Sequence, residues 1–174
     1  MAILPIVVAP DPVLKRKADP VGAVTDKERT LLDDMLETMY DAPGIGLAAP
    51  QVGVSKRMLV LDIAGQDEEP RPMRVINPEI VAASVDMAIY DEGCLSFPEQ
   101  YAQVRRPSHI TLRYLDETGA AQEIEADGLL ATCLQHEIDH LDGITFVDHI
   151  SSLKRTMILK KLTKLKKQGR LQDA

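Results

Sequence analysis

Residues 135–143 read Gln135-His136-Glu137-Ile138-Asp139-His140-Leu141-Asp142-Gly143, and they decide how the rest of the chain is to be understood. Two histidines four apart on a helix project from one face and can grip one metal ion. Glu137, beside the first of them, reaches toward the ion without being a ligand, where a carboxylate can handle a proton. The flanks support a helix. Asp127 is a candidate N-cap followed by Gly128, and Leu130, Leu134, Ile138 and Leu141 recur at helical spacing as a core-facing stripe. Asp142-Gly143 closes the segment, with the glycine fit for a left-handed cap. The histidines lie off that stripe, as a site requires.

A catalytic site for zinc or a similar ion takes three protein ligands and leaves a position open. The candidates are few, because the chain has two cysteines, Cys94 and Cys133, and four histidines, His109, His136, His140 and His149. Cys133 falls within the helix interior, where a small thiol is ordinary packing. Cys94 lies in a glycine-containing turn, Tyr90-Asp91-Glu92-Gly93-Cys94-Leu95-Ser96-Phe97-Pro98, from which a thiolate can swing against a helix. Cys94 is therefore the expected third ligand. A Cys94 to Cys133 disulfide is the rival arrangement, and it is disfavoured in a reducing compartment. His109 and His149 are expected at the surface.

Three separated stretches carry a family likeness: Gly44-Ile45-Gly46-Leu47-Ala48-Ala49-Pro50-Gln51, Glu92-Gly93-Cys94-Leu95-Ser96, and the 135–143 segment. Together with the opening Ile3-Leu4-Pro5-Ile6 and Pro10-Asp11-Pro12-Val13-Leu14, the sequence resembles the bacterial peptide deformylases over nearly its whole length. The resemblance implies a hydrolase that removes the formyl group from the starting methionine of new polypeptides. It places Cys94, His136 and His140 on the metal and gives Glu137 the proton transfer. The Gln51 amide and the Leu95 backbone N–H are implied donors to the oxyanion. Substrate contacts are implied at Ile45, Gly46, Glu92, Gly93, Leu129, Thr132 and Cys133, and Tyr101 stands where some relatives carry arginine. Gln135, Asp139 and Arg105 are expected to orient ligands and loops. The implied metal is Fe2+ in the cell, with Zn2+, Ni2+ or Co2+ able to substitute, and a thiolate ligand, which brings negative charge and softness to the site, admits ferrous iron as well as zinc. Two other classes fit parts of the pattern: a His-Glu-x-x-His zinc metallopeptidase, and a non-catalytic, metal-stabilised ribosome-binding protein.

At 174 residues and 19.2 kDa, residues 1–174 are expected to form a single catalytic domain with one core. The fold class expected is α+β, with antiparallel strands about a central metal-binding helix and one helix before and one after it. Thr25 and Glu28 form a capping-box pattern, and Leu31, Leu32, Met35, Leu36 and Met39 make an apolar stripe, so a helix is expected over about 26–41. The first 24 residues, broken by prolines, are expected to hold no helix. Strands are expected at 58–62, 73–76, 80–89 and 109–115, the last returning over 122–125, with Asn77-Pro78 as an interruption. A last helix is expected over 151–168, burying Leu153, Met157, Ile158, Leu162 and Leu165, with fraying past Gly169.

The net charge of −7 is unevenly spread. Residues 1–153 hold 12 Lys and Arg against 26 Asp and Glu, a balance of −14, whereas residues 154–174 hold 8 against 1, a balance of +7. The basic tail is a candidate for ribosome contact through phosphate, against a plain solvated helix whose lysines suit its C-terminal end. No run approaches membrane-spanning length and no basic start precedes the apolar Ile3 to Val8. The chain is expected to be a cytoplasmic monomer acting on N-formylmethionyl nascent peptides, with neither DNA nor a membrane as partner.

Overall fold

The computed structural model describes residues 2–169. Its elements, in chain order, are α1 (Asp26–Asp41), β1 (Gly46–Ala48), β2 (Met58–Leu61), β3 (Met73–Ala83), β4 (Met87–Cys94), β5 (Phe97–Pro107), β6 (His109–Leu115), β7 (Ala121–Asp127), α2 (Gly128–Leu141) and α3 (Ser152–Lys167). Short 3-10 turns occur at Pro12–Lys15, Ala49–Val52 and Phe146–His149. Strands β1-β2-β3-β6-β7 form one antiparallel sheet in that order, and β4 pairs with β5 as a separate two-stranded sheet. This is the α+β architecture expected, with an early, a central and a late helix.

Side-chain alternation on β2 explains why the five-stranded sheet lies between two helices. Leu59 and Leu61 point to one face, where they meet Leu134, Ile138 and Leu141 of α2. Met58 and Val60 point to the other, where they meet Leu32, Met35, Leu36 and Met39 of α1. Helix α1 begins as its sequence dictates: Thr25 Oγ1 accepts from the Lys27 N–H and donates to the Glu28 carboxylate. A third cluster, built on Phe97, Val104, Phe146, Val147 and Leu162, fills the space under the β4–β5 hairpin. The metal-motif helix is thus packed by the large sheet on one side and faces the hairpin on the other.

Five expectations need correction. Residues 12–15 form a 3-10 turn capped by Asp11, whose Oδ1 accepts from the Val13 N–H at 3.0 Å. β3 runs through Asn77-Pro78 instead of stopping there, because a bulge between Ile76 and Glu79 removes the need for a ladder N–H at proline. The strand expected over 80–89 is two strands separated at Ser84-Val85-Asp86. β5, which no periodic pattern announced, spans eleven residues and pairs with β4. In α3 only Leu162 is fully buried, with Ile158 and Leu159 packed beside it; Leu153 and Met157 are exposed at 70% and 62%. The fraying expected past Gly169 lies outside the described residues.

Candidate metal centre

Helix α2 carries His136, Glu137 and His140 inward, all buried. Asp127 occupies the N-cap position but its side chain accepts no cap hydrogen bond, and Gly128 takes up the turn with φ +54°. Cys94 ends β4, where the register slips between Gly93 and Cys94, so that the thiol leaves the hairpin plane toward α2. One donor atom each from Cys94, His136 and His140 lies within 4.8 Å of the others. Cys94 Sγ is 3.3 Å from His140 Nε2. Both cysteines are free thiols, so the disulfide alternative is not formed.

The imidazole of His136 is fixed from behind. Its Nδ1 is 2.9 Å from Glu92 Oε1, the geometry of a ring N–H donating to a carboxylate. Glu92 is in turn gripped by buried Arg106, through Nε to Oε2 at 2.7 Å and Nη2 to Oε1 at 2.9 Å. Arg106 Nη1 also donates to Asp139 Oδ2 at 2.7 Å, and His149 Nε2 meets that same oxygen at 2.7 Å. Phe146 stacks on the His136 ring with centroids 6.1 Å apart. The orienting arginine is therefore Arg106, and Arg105, expected in that role, is exposed on the other face of β5. Asp139 does take part in the network, while Gln135 donates to the carbonyls of Pro107 and Ala131.

Gln51 is 1% exposed and held at both ends of its amide. Its Oε1 accepts from the Ala48 N–H at 2.9 Å, so Nε2 must face the centre, where it lies 3.1 Å from Ser96 Oγ and 3.4 Å from Cys94 Sγ. Gly46 passes so close that an added Cβ would fall 2.5 Å from Glu137 Oε2 and 3.0 Å from Cys133 Sγ. A cavity of about 710 Å³ opens onto these groups. Ile45, Gly46, Glu92, Gly93, Leu129, Thr132 and Cys133 all line it, together with Gln51, Cys94, Leu95, Tyr101, His136 and Glu137. Glu92 contributes only its stem, since its carboxylate is committed to Arg106 and His136. His109 and His149 are exposed and stand apart from the cluster.

Burial alone would push the His136 pKa down, yet contact with Cys94 and the charges of Glu137 and Glu92 hold it well above its ordinary value. His140 is driven the other way by burial and by the positive neighbours His136 and Arg106. Burial also raises Glu137, to about 7, although His136 opposes the rise. Glu92 would likewise be raised by burial, but Arg106 and His136 bring it down to about 2. The donor set fits a divalent ion: a thiol and two imidazoles converge, the number a catalytic zinc-type site uses, and a buried, unpartnered Glu137 Oε1 stands beside them.

Residues 3–156 match the model of the polypeptide deformylase family. The chain belongs to the peptide deformylase family. It is 55% identical over 167 residues to the peptide deformylase of Rhizobium meliloti (strain 1021), covering 96% of each chain. With the enzyme of Agrobacterium fabrum it shares 57% identity over 164 residues, covering 94% of this chain and 96% of the relative. Among solved structures, the peptide deformylase of Legionella pneumophila is 47% identical, with a TM-score of 0.89 over 98% of this chain and 100% of that one. The Ehrlichia chaffeensis peptide deformylase in complex with actinonin is 42% identical with a TM-score of 0.90 over the same shares. The protein is accordingly a metal-dependent hydrolase that removes the N-formyl group from nascent polypeptides, and its substrates are N-formylmethionyl peptides. The metallopeptidase and the non-catalytic alternatives fall with that assignment.

Proposed function

We propose that Glu137, Gln51 and the Leu95 N–H perform deformylation around an ion held by Cys94, His136 and His140, and that this ion is Fe2+ in the cell. What carries the proposal is the convergence of three soft-to-borderline donors on one point beside a buried carboxylate whose pKa is pushed up to about 7. The ion, when bound, supplies a Lewis acid that polarises a carbonyl and acidifies water. Glu137 takes the proton from the attacking water and returns it to the amine nitrogen as formate departs; a carboxylate poised near neutral pH can do both. The negative charge that builds on the formyl oxygen meets Gln51 Nε2, already aimed by the Ala48 N–H, and the backbone N–H of Leu95. Ile45, Gly46, Gly93, Leu129, Thr132, Cys133 and the stem of Glu92 enclose the methionine and the first peptide units. Cys133 fits this wall as a neutral thiol, because burial and the charge of Glu137 raise its pKa well above the usual value.

A thiolate with two imidazoles accepts ferrous iron as well as zinc, nickel or cobalt, and the choice of iron in the cell rests on the family likeness. The basic helix α3, with Lys160, Lys164 and Lys167 exposed, is proposed to contact the ribosome, which would place a cytoplasmic monomer near emerging chains. The test is formate release from a formyl-Met peptide by protein purified without oxygen, with iron and zinc quantified on the same sample. Activity that follows iron content supports the metal assignment; activity independent of any bound metal overturns the ligand set. In parallel, Cys94→Ser is expected to lose metal and rate together, and full metal with full rate would remove Cys94 from the centre.

A further inference from the structure

The two protein donors proposed for the oxyanion stand on different sheets. Gln51 belongs to the 3-10 turn Ala49–Val52, which continues directly from β1 of the five-stranded sheet, and Leu95 lies in the two-residue turn between β4 and β5. No strand ladder joins the two sheets among the described residues. Their spacing must still be fixed, because a donor acts on a developing charge only from hydrogen-bond distance. Side chains supply one link, Gln51 Nε2 to Ser96 Oγ at 3.1 Å. That link uses one of the two amide hydrogens and leaves the other for the oxyanion.

The N-terminal segment supplies a second link. The Val7 N–H donates to the Gln51 carbonyl at 2.7 Å, and the Ala9 N–H donates to the Ser96 carbonyl at 2.8 Å. The residue between them bonds the other way, its Val8 carbonyl accepting from the Lys166 ammonium of α3 at 2.9 Å. Bonds that alternate from side to side in this manner are those of an extended chain. Val8 and Ala9 are buried, and Val7 and Ala9 pack in the cluster of Phe97 and Phe146, so water competes little for these bonds. Further back, the Leu4 N–H donates to Thr38 Oγ1 of α1 at 2.9 Å, which anchors the segment away from the centre. Ile6, between the two anchors, lines the cavity.

We propose that Val7 and Ala9 are positioning residues for deformylation: through their backbone N–H groups they strap the Gln51 turn to the β4–β5 turn and so set the distance and angle between the Gln51 amide and the Leu95 N–H. On the first turn, the strap pins the main chain of Gln51 while the Ala48 N–H pins its amide oxygen, which leaves Nε2 one direction to face. On the second, Leu95 and Ser96 are the whole of the turn, so holding the Ser96 carbonyl holds the peptide beside it. The effect resides in the rate and not in binding, because the charge these donors meet exists only in the transition state.

The inference rests on the oxyanion roles proposed above for Gln51 and Leu95, and the experiment separates the two. In full-length, metal-replete enzyme the N–H of Val7, of Ala9 or of Leu4 is replaced by an ester oxygen, using the α-hydroxy acid with the same side chain. Formate release from formyl-Met-Ala-Ser is measured beside metal content and denaturant unfolding. The Val7 and Ala9 esters are each expected to lose kcat by about tenfold with KM within about twofold. Metal content should not change, and the side-chain amide proton resonances of Gln51 should shift in the Val7 ester. The Leu4 ester loses a bond of the same kind on the same segment, and it should keep kcat within about twofold and leave those resonances in place. In a Gln51→Ala background, where no amide is left to aim, the Val7 ester should cost no more than about twofold further. Wild-type kcat in both the Val7 and the Ala9 esters overturns the inference, as does an equal loss in the Leu4 ester or an undiminished Val7 effect without the Gln51 amide. Wild-type kcat in Gln51→Ala itself would instead sink the oxyanion role of Gln51.

Discussion

Helices α2 and α3 are nearly the same length, 14 and 16 residues, and face opposite demands. Ten residues of α2 are buried, among them both ligand histidines and Glu137, whereas α3 buries Leu162 alone. In α2 most side chains are enclosed, and Glu137 Oε1 and His140 Nδ1 are buried there without a hydrogen-bond partner among the described residues. In α3 most side chains touch water, and the helix is fixed by one seam, Ile158, Leu159 and Leu162 against the Phe97 and Phe146 cluster, and by the Lys166 ammonium donating to the Val8 carbonyl at 2.9 Å. Burial therefore decides where a substitution changes chemistry, where it changes stability and where it changes only contacts with other molecules.

The largest effect that would break this contrast is expected at Glu137. Glu137→Ala should keep its metal content and lose formate release by roughly 10²–10⁴-fold, the usual worth of a positioned proton-transfer group; turnover near the wild-type rate in a metal-replete sample would refute the role. Next is the support behind His136. Arg106→Met leaves Glu92 and Asp139 without their cation in a buried place, and denaturant unfolding should show a loss of about 3–5 kcal/mol. A loss under ~1 kcal/mol would mean the network can relax to water and is less tightly packed than its distances indicate. On α3 the paired comparison is Leu162→Ala against Met157→Ala. The first should cost about 2–5 kcal/mol and the second no more than about 0.5, since one removes buried atoms and the other atoms already in water. Similar costs for the two would place α3 differently on the domain. The smallest effect is on chemistry itself: reversing Lys160, Lys164 and Lys167 should leave hydrolysis of a short formyl-Met peptide within about twofold while weakening ribosome co-sedimentation; wild-type co-sedimentation should itself weaken steeply as salt rises, so that the gap between the two narrows. Unchanged co-sedimentation at two salt concentrations would return α3 to a packed helix with a wet lysine face.

The same contrast explains what could be read from the chain. The metal helix was legible because ligand spacing and apolar spacing obey one period on one continuous element, and the 26–41 helix because a cap and a stripe agree. Cys94 was legible by chemistry, since few donors compete. The β4–β5 hairpin was not. Its outer face alternates Ile89, Asp91, Tyr101, Gln103 and Arg105, its inner face buries charge at Glu92 and Arg106, and neither face shows a run of apolar residues. Choosing Arg105 instead of Arg106 is the consequence, because in a strand one residue of error exchanges the faces, and the bulge at Pro98-Glu99 hides the phase. The apolar stripe of α3 misled in another way. Spacing marks the face a helix can bury, but nothing in the spacing says how far the neighbouring surface extends, and here it stops short of Leu153 and Met157. Gln51 was recognised through the family likeness; the Ala48 N–H that aims its amide is a tertiary detail with no local pattern.

The centre draws on Gly46, Gln51, Cys94 and the 136–140 turn, which are scattered over more than half the chain. Such a site has a history in time as well as a place. Its ligands meet only after the hairpin closes onto the helix, a pairing between distant parts of the chain whose loop-closure entropy delays it relative to the helices themselves. During synthesis, the thiol at position 94 leaves the ribosome before either histidine that it must join. Until they meet, that sulfur is an ordinary accessible thiol, open to oxidants and stray metals. The half-buried seat it finds at the end of β4, between Gln51 and His140, narrows that exposure to what can enter the cavity.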